Sequence, residues 1–470
     1  MRAHRWRPTA LSLAIGLSLA AAPGVYAATI TVGAPAQCDL GAAIASANSD
    51  SSVSGCIAGS GADLIQLPAG TIFPSLPLPP IVSMLEIRGD ALGTSVISCE
   101  GGGQPLVVGG ELEAGTSAPS VVLRRFGVQN CSYTAGAGTM GGGGAGGLGG
   151  ALFVYDGAVT LDRLHFSACG VTGGAGSSLV FGGASGGGGG LHGAGGAGTS
   201  SPDAIGFGSG GGGSGTPATS SPSPGSSAGL PNGGAGGSGG IFPAPPSAGG
   251  FGGGGGGGAS LTSNQGGQNG GLGGFGGGGG AGGPTSASTT TALGGNGGKG
   301  GFGGGGGGGG GSPLGNPGNG GDGGFGAGGG AMGYFENGIA ATVGKSGFGA
   351  TVATNFSGGT GAALGGAIFV RAGLVDLRNT VFQGNAANGS VGSRLGGAIF
   401  VLDQAAVTAH QGNPDGLPGA LPDIGGCGVS FSGNTAASAG ATDTNNVDLY
   451  GTSRSELTTP CKDIFMDGFE

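Results

Sequence analysis

The hexapeptide Gly-Gly-Ala-Ile-Phe-Val occurs twice, at Gly365–Val370 and Gly396–Val401. A near copy, Gly-Gly-Ala-Leu-Phe-Val, spans Gly149–Val154, and Gly329-Gly330-Ala331-Met332 reads as a worn fourth copy. Repetition of this kind means that one structural unit is stacked several times, which constrains the architecture before any local propensity is considered. The unit continues past the hexapeptide. Phe166, Phe382 and Phe431 each stand three positions before a Cys or Asn, namely Cys169, Asn385 and Asn434, and Val128 stands in the same relation to Cys131. The pattern predicts a Gly-Gly turn, a short inward-facing strand, a second short strand and a corner. Gly149, Gly150, Gly365, Gly366, Gly396 and Gly397 supply the turns, since glycine adopts positive φ freely. Asn385 and Asn434 suit an amide ladder along the corner.

Composition narrows the class. Of 470 residues 131 are Gly, with 25 Pro and no strict Gly-X-Y period, so a collagen triple helix is excluded. Charged residues make up 8 % of the chain, against about 25 % in an ordinary globular domain. That suits stacked strands with a Ser, Thr, Asn and Gly surface.

The N-terminus reads as a secretory leader over residues 1–27. Arg2, Arg5 and Arg7 form a basic region, Ala10–Ala22 is apolar but short for a bilayer, and Val25-Tyr26-Ala27 predicts cleavage after Ala27. Cleavage removes three Arg and no acidic residue, taking the formal charge from −9 to −12. Such an acidic chain argues against nucleic acid as a partner. No later stretch is long and apolar enough for a transmembrane helix, and the alternating strands of an outer-membrane barrel are not seen.

All seven Cys follow the leader. In an exported chain they are disulfide candidates: Cys38 with Cys56, Cys427 with Cys461, and Cys131 with Cys169, the last pair occupying equivalent places on successive repeats. Cys99 competes for either of that last pair, and an odd count leaves one thiol over. No Cys-x-x-Cys pair exists and the His are scattered, so no metal or other cofactor is read.

Along the chain, residues 28–135 read as an N-terminal cap and first coils, with one helix at Asp39–Asn48 and strands near 28–32, 63–67, 84–88, 95–98, 106–108 and 121–126. Residues 136–330 are a Gly-rich insertion containing one repeat near 149–170. Its composition predicts a flexible excursion, the alternative being extended polyglycine segments packed on the repeats. Repeats resume over 331–450, and 451–470 form a tail.

Two stretches resemble known families. Cys38-Asp39-Leu40-Gly41-Ala42-Ala43-Ile44, with Ala47-Asn48 and Gly61-Ala62-Asp63-Leu64-Ile65 downstream, resembles the N-terminal module named for Cys-Ser-Leu-Arg-Glu-Ala, found on bacterial surface β-helices; Gly41-Ala42 stands where that motif has Arg-Glu. Gly365–Ile368 with Phe382–Asn385, and Gly396–Ile399 with Phe431–Asn434, resemble the Gly-Gly-Ala-Ile and Phe-x-x-Asn marks of polymorphic outer-membrane protein repeats; Gly149–Leu152 with Phe166–Cys169 has Cys in place of Asn. The resemblance implies an all-β, right-handed parallel β-helix with a capping helix. It also implies an exported location, extracellular or at the outer membrane of a Gram-negative bacterium.

The chemistry-bearing residues are thin. Asp376 and Asp403, near Arg371, Arg378 and Arg394, are the weak candidates for a polysaccharide lyase or hydrolase site, the enzymatic alternative; as turn-end surface charges they need no such role. Glycine-rich phosphate and calcium motifs mean nothing in this composition, since the tract offers only Asp203 and Asp322. The sequence therefore points to a non-catalytic, adhesin-like or envelope protein whose partner is an unidentified surface glycan or protein.

Overall fold

The structure, a computed structural model, describes residues 28–33, 37–110, 118–179, 185–196, 246–258, 266–285, 293–312, 314–335, 341–438, 447–452 and 454–461. The predicted leader, Asp203 and half of the predicted tail lie outside the described residues.

Successive short strands turn round a common core and pair in parallel with their counterparts one coil away, so the chain is an all-β parallel β-helix. The longest sheet has seven strands: Ala28–Thr31, Asp63–Gln66, Leu85–Arg88, Ser120–Arg124, Ala158–Asp162, Leu374–Arg378 and Asp423–Cys427. A second sheet of six strands includes Gly127–Gln129, His165–Ser167 and Val381–Gln383. A third, of five, stacks the hexapeptide strands Leu152–Val154, Ile368–Val370 and Ile399–Val401 between Leu106–Val108 and Leu449–Tyr450. Alternation along Ala158–Asp162 and Leu374–Arg378 turns Val159, Leu161, Val375 and Leu377 inward, where they are at most 2 % exposed. Inward residues meet like residues, as Leu161 pairs with both Leu123 and Leu377.

The turns follow the predicted chemistry. Gly149, Gly365 and Gly396 have φ of 67°, 73° and 64°. A Cβ on the following Gly366 would lie 2.0 Å from the Gly397 carbonyl oxygen, so the Gly-Gly pair is demanded at both positions. At the corner, Asn434 Oδ1 accepts from the backbone N–H and the Nδ2 of Asn385, both at 2.9 Å, and Asn385 Oδ1 accepts from the Cys169 N–H at 3.0 Å. Phe166, Phe382 and Phe431 stack beneath, with centroids 5.2 and 5.3 Å apart.

The N-terminal end is closed by helix α1, Leu40–Ser49, whose first turn is capped by Asp39 Oδ1 accepting from Ala42 N–H at 2.7 Å. Leu40, Ala43, Ile44 and Ala47 cover the first coil. Near the other end lie α2, Gln404–Ala409, and α3, Arg454–Thr458. Three disulfides form: Cys38–Cys56, Cys99–Cys131 and Cys427–Cys461. The expected Cys131–Cys169 bridge gives way to Cys99–Cys131, because Cys99 occupies the corner on the preceding coil. Cys169 is left as a buried thiol between that bridge and Asn385, and burial pushes its pKa up to about 12.

The described parts of the Gly-rich tract are ordered, which corrects the expectation of a flexible excursion. They run as extended segments folded into hairpins, each turning at a Phe-Gly pair: 251–252, 275–276, 302–303, 325–326 and 348–349. The tip glycines have φ between 73° and 82°. Hydrogen bonds recur every third residue. Gly270, Gly273, Gly276, Gly279 and Gly282 donate to the carbonyls of Asn296, Lys299, Phe302, Gly305 and Gly308, at 2.8–2.9 Å. Gly271, Gly274, Gly280 and Gly283 face the other way and donate to Gly256, Gly253, Gly271 and Gln268. A three-residue period with backbone groups pointing outward all round is the left-handed extended helix of polyproline II geometry, here satisfied laterally. A Cβ on Gly274 would fall 1.8 Å from the Gly250 carbonyl oxygen, so packing this close admits only glycine.

The bundle is seated on the solenoid. Gly188 and Leu191 donate to Gly279 and Gly276, and Gly143 and Gly146 to Gly306 and Gly303. Gly329–Met332, expected as a worn repeat, lies inside a polyglycine segment, with Ala331 N–H donating to Gly141. The solenoid resumes at Ala363, later than the expected 331. The excursion does not disturb register: Cys169 meets Asn385 across 216 residues, and the same offset relates Leu152 to Ile368 and Ala158 to Leu374.

Two aromatic columns run side by side. The hairpin tips stack Phe251, Phe275, Phe302, Phe325 and Phe348 at 5.1–5.4 Å. The solenoid stacks Phe153, Phe369, Phe400 and Tyr450 at 4.6–5.3 Å. They meet edge to face or tilted, Phe275 on Phe153, Phe302 on Phe369 and Phe348 on Phe400.

Candidate functional site

The residues weighed for catalysis are dispersed by the fold and occupied structurally. Asp376 lies on the outer face of the seven-stranded sheet, where its Oδ2 accepts from Arg378 Nε at 2.7 Å and pairs with Arg378 Nη2 at 2.6 Å. Asp403 follows the hexapeptide sheet and caps α2, Oδ1 accepting from Ala406 N–H at 2.7 Å. One carboxylate thus stands on a strand of the seven-stranded sheet and the other at the start of a helix that follows a different sheet. Arg394 reaches Ser438 and the Gly389 carbonyl. Among the described residues, no group of three or more His, Cys, Asp or Glu is arranged to hold a metal ion.

Arg371 is the exception in being buried, 7 % exposed, at the junction of the two layers. Its guanidinium carbon sits 4.2 Å from the centre of the Tyr155 ring, 5.4 Å from Phe275 and 5.6 Å from Phe302. Nε donates to the Gly416 carbonyl at 2.7 Å and Nη1 to the Tyr155 carbonyl at 3.0 Å. Burial pulls its pKa down, and the negative potential of Tyr155 and Asp156 opposes the shift. The arrangement ties a solenoid coil to the loop after α2. That loop also holds the hairpins: Asn413 Nδ2 donates to Gly300 and His410 Nδ1 accepts from Phe348 N–H.

Beside this junction lies a cleft of about 300 Å³. Its walls are the rings of Tyr155, Phe251, Phe275 and Phe302, with Asp415 and the backbone of the hairpin limbs. Tyr155 stands edge-on to the stacked Phe251 and Phe275 rings, at interplanar angles of 75° and 77°. The rings supply the apolar part of the lining, and the polar part comes from the hairpin backbone and from Asp415, an exposed acceptor. A concave site that sets ring faces beside backbone polar groups and a carboxylate is what a sugar unit fits.

The outer face of the hairpin layer is regular. Asn269, Asn296 and Asn319 each accept, through Oδ1, from the next segment's backbone N–H, at Asn296, Asn319 and Thr342, all at 2.8 Å. One position along, Lys299 pairs with Asp322 at 3.5 Å, and Asp322 accepts from Lys345 N–H at 2.9 Å. The result is a regular array of amides and paired charges, interrupted by the exposed Leu272 and Leu293. Neither this face nor the cleft was among the sequence candidates. The readable signal was the recurrence of Phe-Gly pairs within the tract, at near-even intervals.

Compared with protein-family models, with curated proteins and with solved structures, the chain gives no match in any of the three.

Proposed function

We propose that this chain is an exported bacterial β-helix protein that acts by binding rather than by catalysis, at the cell surface or in the envelope, with a surface glycan as its partner. The observation that carries the reading is the polyglycine layer. It adds a regular polar face and an aromatic-lined cleft to a solenoid whose candidate catalytic residues are already committed to caps and surface pairs. Three disulfides and the leader-like N-terminus support export. The repeat resemblance supports a surface role.

Fractionation of the native host into cytoplasm, periplasm, outer membrane and medium, with an antibody to the solenoid coils, tests the location; recovery in the cytoplasm alone refutes it. A panel of immobilised glycans tests the binding. Wild-type chain is retained on at least one glycan, and Phe251→Ala weakens retention about tenfold or more through loss of a stacking wall. Depolymerisation of a polysaccharide that disappears in Asp376→Ala or Asp403→Ala would restore the lyase or hydrolase reading.

A further inference from the structure

The N-terminal cap contains a carboxylate with an unfilled position. Asp63 opens the second strand of the seven-stranded sheet and is 0 % exposed, covered by the loop at Gly59 and the end of α1. Its Oδ1 accepts from Ser60 N–H at 2.9 Å, while its Oδ2 has no hydrogen-bond partner. A buried carboxylate oxygen without a partner is costly to the fold. The group sits on the second strand of the sheet, one strand in from its N-terminal edge. Burial raises its pKa, the Asp50 carboxylate raises it further, and the backbone N–H groups of Ser60 and Ala28 oppose the shift.

Ala28 is directly beside it. The first strand pairs in parallel with the second, and the register sets Ala28 opposite Asp63. Ala28 is also the residue that follows the predicted cleavage point, Val25-Tyr26-Ala27. In the precursor its nitrogen is a neutral amide.

We propose that removal of the leader after Ala27 creates an α-ammonium at Ala28 that pairs with the buried Asp63 carboxylate, so that maturation itself locks the cap. Hydrolysis breaks the Ala27–Ala28 C–N bond. Water gives its oxygen to the Ala27 carboxylate and both hydrogens to the Ala28 nitrogen, which becomes a cation with two more donors than the amide had. The new charge falls on the carboxylate that the Ala28 N–H already faces, whose buried Oδ2 has no hydrogen-bond partner. A charge-assisted bond of this kind is about twice as strong as a neutral one. The precursor, lacking it, holds a less stable first coil, which suits a chain that must cross a membrane unfolded. The inference rests on the reading that the chain is exported.

The test uses the full-length precursor, exported and processed by the host, and a second precursor with Gly-Ser inserted after Ala27, which leaves two residues ahead of Ala28 after cleavage. Each is made with Asp63 and with Asp63→Asn. Sequencing of the first product begins at Ala28. Its Tm at pH 7 lies about 2–4 °C above that of the extended chain; the gap vanishes in the Asp63→Asn pair and closes as the pH passes the α-amino range, about 8 or somewhat above. An equal Tm, or the same gap in Asp63→Asn, overturns the ion pair while leaving export intact. A chain retained uncleaved in the cell overturns export, and with it this role for Ala28.

Discussion

The solenoid and the polyglycine layer are both stacks of short extended segments, yet they are held together by opposite means. In the solenoid the side chains carry the specificity: Leu161 on Leu123 and Leu377, Phe166 on Phe382, Asn385 on Asn434. In the layer the side chains are absent because backbone hydrogen bonds run in several directions from each segment, and a methyl group on Gly274 would strike a carbonyl at 1.8 Å. The first design tolerates exchange of one apolar residue for another of similar volume. The second tolerates almost no side chain inside, and all its variety is confined to the tips and the outer face. Order does not require a hydrophobic core of the usual kind when backbone groups pair across a close-packed lattice of segments.

The sharpest way to break this comparison is at the seam. Phe369 belongs to the solenoid column and touches Phe302 and Phe325 of the hairpins. Phe369→Ala is expected to cost about 3–5 kcal/mol and to loosen both layers together, seen as one cooperative denaturation at lower denaturant. Two separate transitions would show that the layers are independent. Next in size is Gly274→Ala, expected to cost about 1–3 kcal/mol through overpacking. Gly425→Ala, on an open surface strand with nothing within 4 Å of the added carbon, should change stability by less than about 0.5 kcal/mol. Equal effects for the two would remove the lattice argument.

A smaller effect distinguishes the layers by pH. His192, on the first part of the Gly-rich excursion, packs on Tyr133 of the solenoid with ring centres 4.9 Å apart. Desolvation drops its imidazole pKa from the usual 6.5 to about 4. Because the unfolded chain takes up this proton at higher pH than the folded one, stability is complete above about pH 6.5 and falls as the pH drops toward 4. Allowing for partial exposure of the ring, the loss is roughly 2 kcal/mol. Thermal unfolding between pH 7 and 4 measures it, and His192→Gln should flatten that part of the profile. A smaller change than that of His192 is expected from Cys169→Ser. Its thiol is held well away from the thiolate, so alkylation of the native chain should be negligible, and the variant should lose only about 1 kcal/mol of buried packing.

The solenoid was legible in the sequence because its determinants are local and repeated. The Gly-Gly pairs, the inward Ile and Val of the hexapeptide and the Phe-x-x-Asn corner each state a backbone requirement that recurs from copy to copy. The polyglycine layer was not legible as a folded element for a physical reason. Its stability comes from backbone groups that every residue carries, and glycine-rich composition is shared with flexible linkers. What separates the two is the spacing of the rare non-glycine residues, Phe251, Phe275, Phe302, Phe325 and Phe348 at the turns and Asn269, Asn296 and Asn319 outside. The cleft was missed with it, since Tyr155 and Asp415 are brought together only once the hairpins are seated. Cys99–Cys131 was missed because adjacent corners give Cys131 two equivalent neighbours, and the sequence does not rank them.

The two aromatic columns bear on how such a molecule can change size. One column advances a step with each coil, the other a step with each hairpin, and the steps are alike, near 5 Å in both. A duplicated coil with no added hairpin would leave its Phe uncovered, and a duplicated hairpin with no added coil would overhang the end. Length is therefore a shared quantity, written in two distant stretches of the gene, and viable lengthening or shortening proceeds by matched whole units in both.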